Sequence, residues 1–191
     1  MPLVCRMQIG KSAESRFPAC FKGNGICIYL YCRFNRRAVQ NAERMRTMIE
    51  QDTIRLLREC DAGIKMGVEA IDEVLEYVRD SDLKSCLKDC KEEHIKLKRE
   101  IRELLDRYHD EGKEPSPMAK GMSWMKTNVK LVMNESDKTI AGLMTDGCNM
   151  GVKSLNKYLN QYEAADGKTK DITKKLIKIE EKLVKDVRDF L

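Results

Sequence analysis

Histidine occurs only at positions 94 and 109. That scarcity removes the H-E-x-x-H zinc-hydrolase pattern and any centre built on several imidazoles. The eight cysteines never fall at C-x-x-C spacing, which excludes zinc ribbons and thioredoxin-type redox motifs. There is no nucleophile elbow and no phosphate-binding loop. Lys120-Gly121-Met122-Ser123 lacks the strand and the loop glycine that a P-loop needs before it. The longest apolar run is far short of the roughly 18 residues of a membrane span. Strand-forming residues are sparse beyond the first 35 positions, while 35% of the chain is charged. These absences leave a helical protein, and 191 residues are enough for one domain with a real core.

The formal charge of +5 is unevenly placed. Residues 1–47 carry nine Lys/Arg against two acids, a surplus of seven, so residues 48–191 carry −2. In that longer part both signs interleave, as on a solvated helix face. A one-signed stripe, the usual mark of a nucleic-acid binder, is missing. Cys5, Cys20, Cys27 and Cys32 fall in the first part, and Cys60, Cys86, Cys90 and Cys148 in the second. The latter read as reduced thiols that pack as small apolar side chains, which points to a cytoplasmic protein.

Residues 1–47 form a poorly structured N-terminal extension on this reading. Pro2, Pro18 and the aromatic residues Phe17, Phe21, Tyr29, Tyr31 and Phe34 hold no helical register. The stretch 25–32 reads as a short strand or an apolar patch, and it lacks the cleavage site of a signal peptide. The extension is either disordered or translated upstream sequence not part of the natural protein, with the natural start at Met45 or Met48. The mass of the native protein separates the two.

Beyond it, one phrase occurs twice. G-I-K-M-G-V-E-A-I-D-E-V-L at 63–75 returns as G-C-N-M-G-V-K-S-L-N-K-Y-L at 147–159. Gly63/Gly147, Met66/Met150, Gly67/Gly151, Val68/Val152 and Leu75/Leu159 are identical, the pattern of an internal repeat too short for a solenoid. Each copy sits in a helical pattern. The first runs over about 48–79, with Ile54, Leu57, Asp61, Ile64, Val68, Ile71, Leu75 and Val78 on one seam. The second runs to about 109, with Leu83, Leu87, Cys90, His94, Leu97, Ile101, Leu104 and Tyr108. A connection follows whose own helix, opened by Ser116-Pro117, carries Met118, Met122, Trp124 and Met125 to about residue 133. The third pattern, about 137–164, offers Ile140, Leu143, Gly147, Val152, Leu155, Leu159 and Tyr162; the last, from about 169, uses Ile172, Leu176, Ile179, Leu183, Val187 and Phe190. Glycine is costly inside a helix. Gly63 and Gly67, one turn apart, therefore predict close approach by another helix.

Two short hairpins joined by one long crossover is the connectivity of ferritin-like bundles. In its motifs, too, the span 48–191 resembles the ferritin-like superfamily, within it a bacterial branch of unknown function. The resemblance rests on Gly121-Met122-Ser123-Trp124-Met125 and on Cys148-Asn149-Met150-Gly151 followed by Leu155 and Tyr158. It implies an all-α, ferritin-like four-helix bundle with a helical crossover between the second and third bundle helices. A working di-iron centre there needs a carboxylate from the first and third helices and Glu-x-x-His from the other two. Here Lys91 stands three before His94, the last helix has no histidine, and Gly67 and Gly151 fill the matching positions of the repeat. The expectation is a degenerate site and a non-catalytic structural or interaction module. The alternative is a metal-binding, stress-related protein holding a single zinc or iron. Its ligands would be His94, Cys90, Asp61 and Cys148, since an i, i+4 His/Cys pair can share one metal. Against that stands a plain core histidine bonded to Asp61. Glu69, Asp72, Glu92 and Glu93 are expected at the surface, and His109 as an exposed cap. The Met-rich crossover is either packed helix or a surface for a second copy or another protein. Neither a nucleic-acid nor a membrane partner is expected.

Overall fold

The computed structural model describes residues 26–115 and 136–191, with side chains from residue 38. Four α-helices follow in order: α1 (Ile26–Leu75), α2 (Ser81–Arg107), α3 (Asp137–Gln161) and α4 (Gly167–Asp186), then a 3-10 turn at Arg188–Phe190. No strand occurs among the described residues, and none of their helices is long and apolar enough to cross a membrane. The all-α class expected from the sequence holds.

The helix ends lie where side-chain acceptors can take up the orphan N–H groups of the first turn. Asp80 accepts from the N–H of Asp82 and Leu83 at the start of α2. Ser136 does the same for Thr139 at the start of α3, and Asp166 for Thr169 at the start of α4. The first helix differs from expectation at both ends. It begins at Ile26, so the stretch read as strand or loose extension is helical from that residue, and it stops at Leu75 rather than near Arg79. Tyr29, Tyr31 and Phe34 obscure the pattern because aromatic residues rank low for helix but do not forbid it. The crossover helix expected at 117–133 lies outside the described residues.

At its far end α2 closes on His109, which has a left-handed φ of 53°. The N–H of His109 donates to the Asp106 carbonyl and that of Asp110 to the Leu105 carbonyl, the paired bonds of a Schellman cap. Glycine is the usual occupant of that position, because a Cβ is strained there. His109→Gly should therefore raise the stability by roughly 0.5–1 kcal/mol, read as a higher urea midpoint. The exposed position expected for His109 is found.

The segment after this cap is fastened onto α1. Arg58 binds Asp110 through two nitrogens at 2.9 and 2.5 Å. Lys113 reaches Glu59 at 2.7 Å, and Lys65 reaches Glu114 at 2.6 Å. At the opposite end, Asp137 at the start of α3 accepts from the backbone N–H of Arg79 and Asp80, at 2.9 and 3.1 Å. The α3–α4 turn meets α1 instead: Asp52 accepts from Ala164 at 3.2 Å, and Thr53 from Asp166 at 2.9 Å. Hence α2 and α3 start at the same end of the molecule, and α1 and α4 run the other way.

Two apolar cores fill the interior. One gathers Ile71, Val74, Leu83, Leu87, Ile140, Met144 and Leu183 among others. The second gathers Leu56, Leu57, Ile64, Ile101, Leu155, Ile172 and Leu176 among others. The predicted seam of α2 is buried as read, from Leu83 through Leu104, with Leu105 added. In α3 the buried stripe is Ile140, Ala141, Met144 and Cys148 rather than Leu143 and Gly147. In α1, Thr53, Leu56 and Cys60 are buried where Ile54 was expected, and Val68 and Val152 are only half-buried.

Candidate functional site

Each helix carries one residue at the level where the two cores part. On α1 it is Gly67, between Ile64 of one core and Ala70 of the other. On α2 it is His94, between Leu97 and Cys90; on α3 it is Gly151, between Leu155 and Cys148; on α4 it is Glu180, between Ile177 and Leu183. The interior is thus divided by a polar layer of one imidazole, one carboxylate and two glycines.

His94 is only 1% exposed, and both its ring nitrogens are engaged. Nδ1 lies 2.9 Å from the backbone carbonyl of Cys90, one turn back on the same helix. Nε2 lies 3.2 Å from Glu180 Oε1. A carbonyl and a carboxylate can only accept, so both nitrogens must donate, and the ring is an imidazolium. Burial pulls its pKa down, but hydrogen bonding to Cys90 and Glu180 and the Glu180 charge outweigh this and raise it to about 10. The Glu180 side chain is 12% exposed. The result is a nearly dry ion pair linking α2 to α4.

The glycines close over this pair. A Cβ on Gly67 would meet His94 Nε2 at 3.2 Å, and a Cβ on Gly151 would meet Glu180 Cδ and Oε1 at 3.4 Å. The close approach expected of Gly67 is therefore made to side chains, not to another helix backbone. Gly63 has no such contact, nor has its counterpart Gly147; nothing lies within 4 Å of a Cβ at either. That part of the expectation fails, because these two positions look away from the interior. Gly63→Ala and Gly147→Ala should each stabilise the protein by roughly 0.5–1 kcal/mol through helix propensity alone, measured as a shift in Tm.

Of the residues expected to hold a metal, the structure brings Cys90 and His94 together, sets Cys148 near Glu180, and places Asp61 elsewhere. Cys90 Sγ is 3.5 Å from His94 Nδ1. Cys148 lies near Glu180, and its thiol pKa is raised by burial and then by the Glu180 charge. Asp61 lies elsewhere. It pairs with Lys65 at 2.9 Å and accepts from the Lys113 backbone at 3.2 Å. Gly112, at a left-handed φ of 84°, lets the segment pass against it, since a Cβ there would lie 2.5 Å from Asp61 Oδ2. So the expected Asp61–His94 bond is replaced by Glu180–His94. Helical register puts Asp61 on the inner face but does not say at which level along the axis it meets α2. His94, Cys90 and Cys148 lie in one region but are not placed as a ligand set: among the described residues no group of three or more His, Cys, Asp and Glu side chains could hold a metal ion.

Glu180 was missed as an inner residue, although the sequence carried a signal. Leu176, Glu180, Leu183 and Val187 are spaced by four, three and four, the same seam as the apolar neighbours. Of the acids expected at the surface, Glu69, Asp72 and Glu92 are exposed, and Glu93 is half-buried. Glu93 binds Lys182 across to α4, and Asp72 binds Lys91. Cys60, buried in the second core, has its thiol pKa raised by burial to about 11 and sits 3.3 Å from Thr173 Oγ1. No family model, curated protein or solved structure matches this chain.

Proposed function

We propose that the chain is a ferritin-like helical bundle that has no oxidase chemistry and works as a structural or interaction module. The observation that carries this reading is the layer itself. Where a di-iron protein places a carboxylate on each of two helices and Glu-x-x-His on the other two, this chain has Gly67, Gly151, His94 and Glu180. An imidazolium has no lone pair for a metal, and its carboxylate partner is already engaged. The connectivity supports the same family. α2 ends beside Arg58 while α3 starts beside Arg79, at opposite ends of the paired helices, which is where a ferritin-like crossover has its two ends.

Elemental analysis and an iron-oxidation assay on full-length protein without a histidine tag test the proposal. We expect less than one equivalent of iron and no oxidation of ferrous iron above buffer. Two irons per chain, lost in Glu180→Gln, would overturn it. One equivalent of zinc, lost in His94→Ala, would instead favour a metal-binding protein built on His94, Cys90 and Cys148. Protein partners or a second copy would be recruited through the Met-rich segment 118–133 or the exposed apolar residues of α1, Met45 and Met48.

A further inference from the structure

A cleft between α2 and α4 is lined by Cys86, Cys90, Glu93, Lys182, Leu183 and Asp186. It lies beside the His94–Glu180 contact, since its lining also includes Ile179, next to Glu180, and Glu93 is next to His94. Both cysteines are free thiols; Cys86 is half-buried and Cys90 lies deeper, 6% exposed. They are four residues apart on one face of α2, which sets their Cβ atoms roughly 5–6 Å apart. Cys90 Sγ here faces His94 Nδ1 at 3.5 Å, so side-chain rotation is what would bring the two sulfurs to one point between them.

We propose that this cleft binds one soft, closed-shell monovalent cation, copper(I) or silver(I), between Cys86 and Cys90. The argument is one of ligand number and softness. Zinc wants four donors in a tetrahedron, and no third ligating group is placed to complete a set among the described residues. Copper(I) selects thiolates and is satisfied by two of them in a line. Binding breaks two S–H bonds and forms two S–Cu bonds. Both protons leave to solvent, and copper stays in the +1 state throughout. Burial and then the carboxylates of Asp186 and Asp89 raise the Cys86 thiol pKa, so the cation itself must displace the proton; Asp186, which lines the cleft, attracts that cation. Lys182, held at 3.0 Å from Glu93, lines the same cleft. With the His94 imidazolium 3.5 Å from Cys90 Sγ, it offsets the single negative charge of the bis-thiolate complex.

The test is an anaerobic titration of the full-length chain with copper(I) against a chromophoric copper(I) chelator. Cys5, Cys20, Cys27 and Cys32 are changed to serine throughout, so that thiols near the start of the chain do not compete. One tight equivalent is expected. Cys86→Ser and Cys90→Ser should each weaken it by more than about a hundred-fold, beyond the cost of disturbing an outer-shell partner. Cys60→Ser, in the other core, should leave it unchanged. Cys86 is half-exposed, so its serine variant should melt as the parent does and reports on the ligand alone. Absence of a tight equivalent overturns the proposal. So does retention of copper(I) in Cys86→Ser together with its loss in Cys148→Ser, which would move the site inward.

Discussion

Glu180→Leu is expected to destabilise the protein by about 3–5 kcal/mol, the cost of removing one partner from a buried ion pair. The imidazole of His94 would keep its Cys90 carbonyl but lose the acceptor at Nε2, in a place that water barely reaches. The double variant His94→Leu/Glu180→Leu should recover most of that loss. A buried pair replaced by apolar side chains is commonly neutral or better, because the desolvation of both charges is no longer required. Urea unfolding of the two single variants and the double gives the coupling directly. Additive losses would mean the pair is not energetically joined.

The same pair sets a pH dependence. In the folded state His94 keeps its proton up to about pH 10, whereas in the unfolded chain it releases it near pH 6.5. Between those values the folded state binds one more proton, so stability falls as pH rises. The contribution is fully present below about pH 6.5 and is gone once pH passes the folded value. Wild type should lose stability over this window relative to the double variant, which lacks the titrating group. Parallel curves for the two would refute the assignment of His94 as cationic.

Gly67→Leu is the second large effect. Its Cβ alone would stand 3.2 Å from His94 Nε2, and three further carbons must enter a layer that is already closed. Overpacking of this kind costs roughly 1–3 kcal/mol. Here the displaced atom also belongs to the ion pair, so the loss should reach the upper end. Gly151→Leu should behave alike but more mildly, since its Cβ would sit at an ordinary 3.4 Å from Glu180. Alanine separates the two further: Gly151→Ala should be nearly neutral in Tm, while Gly67→Ala should lower it. A Gly67→Leu protein that melts with wild type would show that the layer has slack.

Much of this arrangement could be read from spacing alone. The seam of α2 is legible because, from Leu87 to Ile101, every residue off it except Ile95 is charged, so one face is clearly the inner one. The first half of α3 is not, since Leu143 and Gly147 compete with Met144 and Cys148 for the same stripe. The choice there falls to tertiary packing, not to periodicity. The glycines of the repeated phrase pointed to the right level of the molecule, at Gly67 and Gly151, but not to what occupies it. Pairing across helices depends on axial offset, and offset leaves no trace in the period. That is why Asp61 looked like the partner of His94 and Glu180 was not read as one.

The ends of the two hairpins carry a consequence for how the chain acquires its structure. The turn of the first hairpin has its Arg79 and Asp80 N–H groups held by Asp137 of the second. The turn of the second has its Ala164 and Asp166 N–H groups held by Asp52 and Thr53 of the first. Each hairpin thus lends the other the acceptors for its own bend. Such a trade can be completed only by contacts distant along the chain, which form late because their loop-closure entropy must be met first. Over residues 48–191, folding should therefore be a single event, in which neither hairpin matures until the two have met.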